Sequence, residues 1–224
     1  MGYYWAYYLA LMAASALMRY PPLLVGIVVL LLVRPFLPDP VVLWRTLGRV
    51  QALRRQILAN PANVTARRDL ALVYLDRLRP GRALELVDEA RQRFPADAEL
   101  LFLKGLAHHR KGQHEQSLEP LVEAVEIDPR LRFGEPYLVA GNALRALGKT
   151  TEAVDAFERF VRSNGSSLEG HVKLALTHRD AGDAEGAKRA LDEAFRTWGQ
   201  LPGYQRRKQL GWYLRAIALR VTGL

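Results

Sequence analysis

Two stretches, "ALELVDEARQRFP" (83–95) and "SLEPLVEAVEIDP" (117–129), repeat one pattern and decide the fold. A small residue opens each stretch, a second small residue follows seven positions later, and a proline closes it five positions after that. The second stretch begins thirty-four residues after the first. Two later stretches, "AVDAFERFV" (153–161) and "AKRALDEAF" (187–195), keep the leading alanine, and their two alanines are again thirty-four residues apart. Self-similarity at a fixed period of this length is typical of solenoids built from helix pairs.

Further small residues support this interpretation. Each copy carries one of them twelve positions before its leading small residue: Ala71, Gly105, Gly141 and Ala175. Because a larger side chain would hold two helix backbones apart, these positions predict closely packed antiparallel helices.

The turn between the two helices of a unit is also marked. A glycine follows seven residues after the upstream small residue in the last three copies: Gly112, Gly148 and Gly182. Glycine adopts the left-handed conformation that ends a helix. In the first copy we expect "RPGR" (79–82), with its proline and glycine, to make the turn instead.

This spacing resembles the tetratricopeptide repeat family. The resemblance implies an all-α fold, a right-handed solenoid of about four helix-turn-helix repeats over residues 64–97, 98–131, 134–167 and 168–201. The chain departs from the family pattern at five positions: Phe160 replaces a small residue, Gly165 and Gly199 replace closing prolines, and Arg132 and Phe133 are inserted between the second and third copies.

In this family the first helices of successive units line a concave groove that binds an extended peptide or a partner's helix. The resemblance implies that thirteen residues line it here: Arg68, Leu72, Asp76, Phe102, Leu106, His109, Arg110, Leu138, Asn142, Arg145, Val172, Leu176 and Arg179. Apolar residues near the middle of each helix, with arginines one turn later, would suit a peptide that carries hydrophobic anchors and carboxylates. Arginine can hold a carboxylate through two parallel hydrogen bonds.

The first 33 residues predict a hydrophobic membrane anchor. Residues 3–33 carry one charge, Arg19, and Pro21 and Pro22 divide them into apolar runs at 3–18 and 23–33. A spanning helix needs about 20 residues, so a hairpin, a kinked single span and a half-inserted segment all remain open. A cleaved signal peptide is disfavoured because the start lacks a positive region.

Residues 34–63 read as a proline-rich linker followed by a basic amphipathic helix that ends at "ANP" (59–61). Its apolar stripe is formed by Leu43, Leu47, Val50, Leu53 and Ile57. Five arginines lie within reach of the predicted membrane surface: Arg34, Arg45, Arg49, Arg54 and Arg55. The positive-inside tendency predicts that this side faces the cytoplasm at the inner membrane. A periplasmic placement is left open.

Residues 202–224 predict a C-terminal capping helix. An apolar stripe would cover the edge of the last repeat, and it consists of Leu210, Leu214, Ile217 and Val221. Lys208, Trp212 and Arg215 would then face outward together. Two alternatives remain for Trp212: it packs on the repeats, as a tryptophan on a capping helix usually does, or it belongs to a basic and aromatic patch that contacts anionic lipid or a partner.

Composition and motifs argue against catalysis, metal binding, nucleotide binding and nucleic-acid binding by this chain. The absence of cysteine excludes disulfides, thiolate zinc sites and a cysteine nucleophile. The formal net charge is +9, but residues 63–201 carry 21 Lys and Arg against 22 Asp and Glu, so the repeats lack the basic footprint of a nucleic-acid-binding protein. His108, His109 and His114 do not have the spacing of metal ligands on one helix face. "GKT" (148–150) has Ala143 where a phosphate loop needs its first glycine.

We therefore expect neither an enzyme nor a protein with a cofactor or a small-molecule substrate. The sequence predicts a membrane-anchored scaffold or adaptor that holds protein partners in a bacterial envelope assembly and contacts lipid through its N-terminal segment. The alternative is a structural subunit of a larger membrane complex, with the N-terminal segment integral to that complex.

Overall fold

The computed structural model describes residues 40–223, which form ten α-helices and no strand. The first three helices are α1 (Pro40–Ala59), α2 (Val64–Asp76) and α3 (Pro80–Arg91). They are followed by α4 (Ala98–Arg110), α5 (His114–Ile127), α6 (Glu135–Ala146), α7 (Thr150–Ser163), α8 (Leu168–Asp180), α9 (Ala184–Gln200) and α10 (Gly203–Val221). A short 3-10 turn, Leu131–Gly134, lies between α5 and α6.

The helices pack in chain order. Four pairs, α2–α3, α4–α5, α6–α7 and α8–α9, each pack internally, and the first helix of each later pair also packs on the second helix of the pair before it. Helix α1 packs on α2, and α10 packs on α8 and α9. Each unit therefore contacts its neighbours in sequence, which confirms the predicted all-α repeat solenoid.

Helix α1 is joined to the first repeat by polar and apolar contacts. Val50 and Leu53 are buried against the repeats, as the predicted stripe requires, whereas Leu47 of the same stripe is exposed. The buried Arg77, just after α2, donates to the Thr46 hydroxyl at 2.8 Å and to the Leu43 carbonyl at 3.0 Å. These bonds anchor the first two turns of α1 at the carboxyl end of α2.

The small residues upstream in each copy lie where helices approach closely. Ala71 and Ala175 are fully buried. A Cβ at Gly105 would lie 2.5 Å from Cγ of Leu121, and one at Gly141 would lie 2.8 Å from Cε1 of Phe157. Neither distance is compatible with a methyl group, so the reason predicted for these small residues is confirmed.

The turn glycines Gly112, Gly148 and Gly182 have φ angles of 75°, 74° and 78°, as predicted. The prediction for the first copy is wrong. There the left-handed residue is Leu78, with φ of 55°, and the "RPGR" proline, Pro80, opens α3 instead of making the turn. Proline suits the first turn of a helix because the missing N–H would have no partner there.

Phe160, which replaces a small residue of the repeat pattern, is accommodated by a glycine on the next helix. Its side chain is buried at the end of α7. A Cβ at Gly170, near the start of α8, would lie 2.7 Å from Cδ1 of Phe160 and 2.9 Å from Cγ1 of Val161. The ring therefore occupies the space that a side chain at position 170 would need.

The two residues inserted between the second and third units adopt an uncommon backbone. Arg132 and Phe133 have φ angles of 49° and 55°, and Gly134 follows at 80°. Non-glycine residues seldom occupy this left-handed region. The insertion lies near the boundary between the two clusters of buried apolar residues that form the core.

Helix α10 packs through a different face from the one predicted. Ala216 is buried, and the half-buried Trp212 and Leu219 pack against the second core cluster. Tyr213 stacks on Trp198 of α9 with ring centroids 4.1 Å apart. The stripe predicted to cover the last repeat is exposed: Leu210, Leu214, Ile217 and Val221. Trp212, predicted to face outward, packs instead, because the aromatic face offers more contact area to α8 and α9 than the aliphatic stripe does.

The predicted anchor, residues 1–33, lies outside the described residues. Within residues 40–223, no helix combines the length and the apolar character needed to cross a membrane.

Candidate functional site: the concave groove

A cleft of about 310 Å³ lies on the first helices of the first three units. Its lining comes from α1, α2, α4, the insertion and α6: Arg49, Asp69, Leu72, Val73, Leu75, Asp76, Leu106, Arg110, Arg132 and Glu135. Four of the predicted groove residues are therefore brought together here, namely Leu72, Asp76, Leu106 and Arg110. The repeat geometry places them side by side because they occupy corresponding positions on successive first helices.

The charges in this cleft are balanced. Three arginines, Arg49, Arg110 and Arg132, share it with three carboxylates, those of Asp69, Asp76 and Glu135. Leu72 and Leu106 lie among them as the apolar part of the surface. A segment bound here would therefore meet an apolar centre and both signs of charge.

Arg110 is already bound to the protein. Its Nη1 donates to the carbonyl of Leu75, near the end of α2, at 2.8 Å. That carbonyl belongs to the last turn of a helix, where carbonyls have no partner within the helix. Arg110 thus links two units, and the nearby Asp76 side chain is exposed.

Arg68 and Arg145 are also paired within the chain. Arg68 forms an ion pair with Asp97, whose other oxygen accepts a hydrogen bond from the Leu100 N–H at 3.0 Å and so caps α4. Nε of Arg145 lies 2.7 Å from Oδ2 of Asp180, at the end of α8. Both arginines were expected to meet a partner's carboxylates, but in this structure each neutralises a carboxylate of a neighbouring unit.

Two predicted lining residues lie in the core, and the prediction is wrong for them. Phe102 and Val172 are fully buried, since each is covered by the helices of its own and adjacent units. Leu138 and Leu176 are half-buried and pack against the second core cluster. Asn142 is half-buried on α6.

Arg179, the last of the predicted arginines, is exposed at the carboxyl end of the groove. Its Nε lies 3.8 Å from Oδ1 of Asp180, which also receives Arg145. Surface ion pairs at this distance contribute little to stability. Arg179 is therefore the predicted groove arginine whose charge depends least on an internal partner.

The inserted Arg132 is a groove residue that the sequence analysis did not assign. Its guanidinium lies 5.1 Å from the centroid of the buried Phe102 ring. It pairs with Glu99 at 2.7 Å and with Glu135 at 3.1 Å. The available signal was the two-residue insertion itself, which interrupts the thirty-four-residue period at this point.

His109 lies in the groove beside other basic groups. Its Nδ1 is 3.2 Å from Nδ1 of His114, across the turn between α4 and α5. Burial, and then the neighbouring His114, Lys173 and Arg110, lower the pKa of His109 to about 4. Burial also lowers the pKa of His171. Both imidazoles are therefore neutral at pH 7.

The free energy of unfolding is expected to fall as the pH is lowered from about 6.5 towards 4, because the unfolded chain binds protons that the folded His109 and His171 exclude. His109 should account for a loss on the order of 1 kcal/mol, since its ring is partly exposed and the effect of its pKa shift is screened by solvent. Urea unfolding at pH 7 and at pH 4.5 measures this difference in the free energy of unfolding.

The control for this pH effect is His109→Gln, which keeps polar atoms in the groove but cannot titrate. The difference in stability between the two pH values should be smaller in that variant than in the parent chain. An equal loss in both proteins would mean that other groups, such as His171 or the carboxylates, and not His109, cause the acid sensitivity.

Two of the arginines assigned to the membrane surface are held by the first repeat. Arg49 pairs with Asp69 at 3.0 Å, and Nη2 of Arg54 donates to the Tyr74 hydroxyl at 2.7 Å. The remaining described arginines of this set, Arg45 and Arg55, are exposed on α1, and Arg34 lies outside the described residues.

The groove has the features of a binding surface. Over the part of the chain that the structure describes, no three His, Asp or Glu side chains are grouped so that they could hold a metal ion. The groove combines the half-buried Leu72 and the buried Leu106 with charged side chains, most of which are already paired.

Comparison with known proteins identifies the repeats. The family model described as "Tetratricopeptide repeat" matches residues 68–131 and 138–200. No curated protein matches the chain. Among solved structures, a crystal structure of MamA aligns with a TM-score of 0.61 at 19% identity and covers 67% of this chain and 86% of that one.

Two further solved structures give the same result. A second crystal structure of MamA protein aligns with a TM-score of 0.60 at 18% identity, covering 75% of this chain and 88% of that chain. MamA from residue 41 to its end, from Desulfovibrio magneticus RS-1, aligns with a TM-score of 0.61 at 15% identity, covering 69% and 89%. The TM-scores of these alignments establish a shared fold, and identities this low establish nothing further. The family model spans more than half of the chain, and the protein belongs to the tetratricopeptide repeat family.

Proposed function

We propose that this protein is a membrane-anchored scaffold or adaptor that holds protein partners in a bacterial envelope assembly. Proteins of its family mediate protein–protein interactions through their repeats. The observation that carries the proposal is the concave cleft, in which Leu72 and Leu106 lie among three arginines and three carboxylates. An extended peptide or a partner's helix with apolar anchors fits this surface better than a small molecule, because the lining is spread over α1, α2, α4 and α6.

The pairing of the groove charges refines the partner's chemistry. Because Arg68 and Arg145 already bind Asp97 and Asp180, a partner's carboxylate would have to compete with these internal ones. A partner with both acidic and basic side chains can exchange pairs on both sides without leaving a charge unpaired. The proposed occupant is therefore a segment with apolar anchors and charges of both signs.

The proposed location is the inner membrane, with the repeats on the cytoplasmic side. The proposal rests on the apolar residues 3–33 and on the arginines that follow them in the sequence, which favour retention on the cytoplasmic side. Retention of the full-length chain in the soluble fraction, without detergent, would contradict the anchor and leave the groove proposal untouched.

Changing the charge at three groove positions is expected to reduce partner capture about tenfold, which corresponds to about 1.4 kcal/mol of binding free energy. The variant combines Asp76→Arg, Asn142→Arg and Arg179→Glu. These positions lie on three different first helices and make no strong internal ion pair, so the fold should survive. The measurement is a pull-down of the tagged full-length protein in detergent, with the partners identified and quantified by mass spectrometry.

The matched control makes the same charge changes on second helices. Glu126→Arg, Gln116→Arg and Arg189→Glu alter exposed residues of α5 and α9. Capture should remain at the parent level in this control. If the groove variant and the control retain the same partners equally well, the groove is not the binding surface.

The alternative is a structural subunit buried in a larger membrane complex. The observation in its favour is the large exposed apolar side chains of α1, such as Trp44, Leu47 and Leu58. A scaffold should work with an unrelated anchor in place of residues 1–33, whereas a subunit whose N-terminal segment is integral to the complex should not. Exchange of that segment, followed by recovery of the intact complex, separates the two functions.

A further inference from the structure

Helix α10 presents an apolar stripe to solvent. Leu210, Leu214, Ile217 and Val221 are 46%, 56%, 37% and 81% exposed. Residues three and four positions apart lie on one face of a helix, so the four side chains form one continuous row. The opposite part of the helix packs on α8 and α9 through Ala216. The stripe is therefore not needed to hold α10 on the repeats.

Arg207 flanks this stripe, and residues 202–224 contain no acidic residue. Arg207 and Lys208 are exposed, and Arg207 lies three residues before Leu210 and thus beside the stripe. The guanidinium of Arg215, also exposed, lies 4.6 Å from the centroid of the Trp212 ring.

The remaining two cations of α10 lie towards the body of the protein. Arg206 donates to the carbonyls of Trp198 and Gly199 at 3.1 Å and 2.7 Å. Arg220 lies 3.4 Å from a carboxylate oxygen of Asp192 on α9. These contacts fix the rotation of α10, so that the apolar stripe and the neighbouring Arg207 face solvent, whereas Lys208 and Arg215 lie on the side of Trp212.

We propose that α10 lies on the surface of an anionic membrane, with the stripe in the boundary between headgroups and acyl chains, Arg207 on lipid phosphates, and the net positive charge of the helix adding to the attraction. A helix with a row of aliphatic side chains and a strongly basic flank has the pattern of helices that lie in the plane of the membrane interface. Lys and Arg near an anionic leaflet add to binding because the surface potential is negative.

Charge argues against a second copy of this chain as the occupant. Two α10 helices packed through this face would bring two basic flanks together. The other exposed apolar face, on α1, is basic too, since residues 40–59 contain four arginines and no acid. Repulsion between like-charged surfaces disfavours both contacts. An anionic lipid surface has the charge that complements this face.

This inference rests on α10 alone and does not depend on the proposed groove function or on the anchor. It can be tested with a single fluorescent label because the chain has no cysteine. Leu214→Cys in the full-length protein carries an environment-sensitive fluorophore. The protein is reconstituted with vesicles of phosphatidylcholine, or of equal parts phosphatidylcholine and phosphatidylglycerol, that contain a lipid with a quencher on its acyl chain.

We expect blue-shifted, quenched emission with the phosphatidylglycerol vesicles and an aqueous spectrum with phosphatidylcholine alone. The same label at Gln116→Cys, exposed on α5, should remain aqueous in both. If residues 1–33 do not insert and the chain stays in solution, the same probe still reports whether α10 binds vesicles that are added to the protein. Failure of the anchor and failure of the α10 contact are therefore distinguishable. A label at position 214 that remains aqueous with phosphatidylglycerol overturns the proposal.

A charge variant tests the second part of the contact. Arg207→Glu with Lys208→Glu should lower the quenched fraction about fivefold or more, since each cation near the surface contributes to binding. The control is Lys188→Glu with Arg189→Glu, an adjacent exposed pair on α9, which should leave quenching unchanged. A blue shift that needs no vesicles and grows with protein concentration would assign the stripe to a second copy and overturn the lipid assignment.

Discussion

Phe157→Ala is expected to lower the free energy of unfolding by about 3–5 kcal/mol, the range for truncating a buried phenylalanine. The Phe157 ring is fully buried in the second core cluster and fills the space left by Gly141 on the facing helix. Removing it leaves a cavity between α6 and α7 that the glycine cannot fill. Urea unfolding of the full-length protein in detergent, followed by circular dichroism, measures the loss.

Phe133→Ala is the matched control for this prediction. Its side chain is 76% exposed in the insertion between the second and third units, so the same truncation should change stability by no more than about 0.5 kcal/mol. A loss below about 1 kcal/mol for Phe157→Ala would mean that the third unit does not pack as described.

Gly170→Ala is expected to cost about 1–3 kcal/mol, the range for overpacking a core. Its added Cβ would collide with the Phe160 ring and with Val161 at distances below 3 Å. In a Phe160→Ala background the ring is absent and only the close contact with Val161 remains, so Gly170→Ala should cost clearly less than in the parent chain. The double-mutant cycle measured by urea unfolding gives this coupling directly.

Gly211→Ala on α10 is the control, since a Cβ there meets no atom within 4 Å. It should be neutral or stabilising by up to about 1 kcal/mol. Equal costs for Gly170→Ala in the parent and Phe160→Ala backgrounds would contradict the explanation of Phe160. The departure from the repeat pattern would then be unrelated to Gly170.

The groove illustrates how neighbouring units share their charges. Arg68 binds Asp97 at the start of the next unit, and Arg145 binds Asp180 at the end of the next first helix. Each pair spans two units, so the pairs couple adjacent repeats as well as shape the binding surface.

The thirty-four-residue period determined most of the fold. Small residues at fixed positions, such as Gly105 and Gly141, are required wherever two helices of a pair touch, because the close approach is the same in every unit. The turn glycines Gly112, Gly148 and Gly182 follow from the same geometry. A local requirement that recurs in every unit leaves a repeated signal, and the sequence shows it without any knowledge of the partner helices.

Only the tertiary structure decided how the exceptions are accommodated. Leu78 takes a left-handed conformation that its residue type disfavours, and Phe160 is matched by a glycine ten residues later on another helix. The arginines Arg68 and Arg145 looked free in sequence because their acidic partners lie 29 and 35 residues away. Such pairings depend on which side chains meet in space, and a period along one helix does not contain that information.

Helix α10 shows the same limit. Its aliphatic stripe and its aromatic face are both apolar, so periodicity alone could not say which one packs on the repeats. The structure packs the face that contains Ala216 and Trp212, because the small residue allows α10 to approach closely and the aromatic side chains contact α8 and α9. The sequence thus determined that a final helix with an apolar stripe exists, whereas the surface of the last repeat decided that this stripe faces outward.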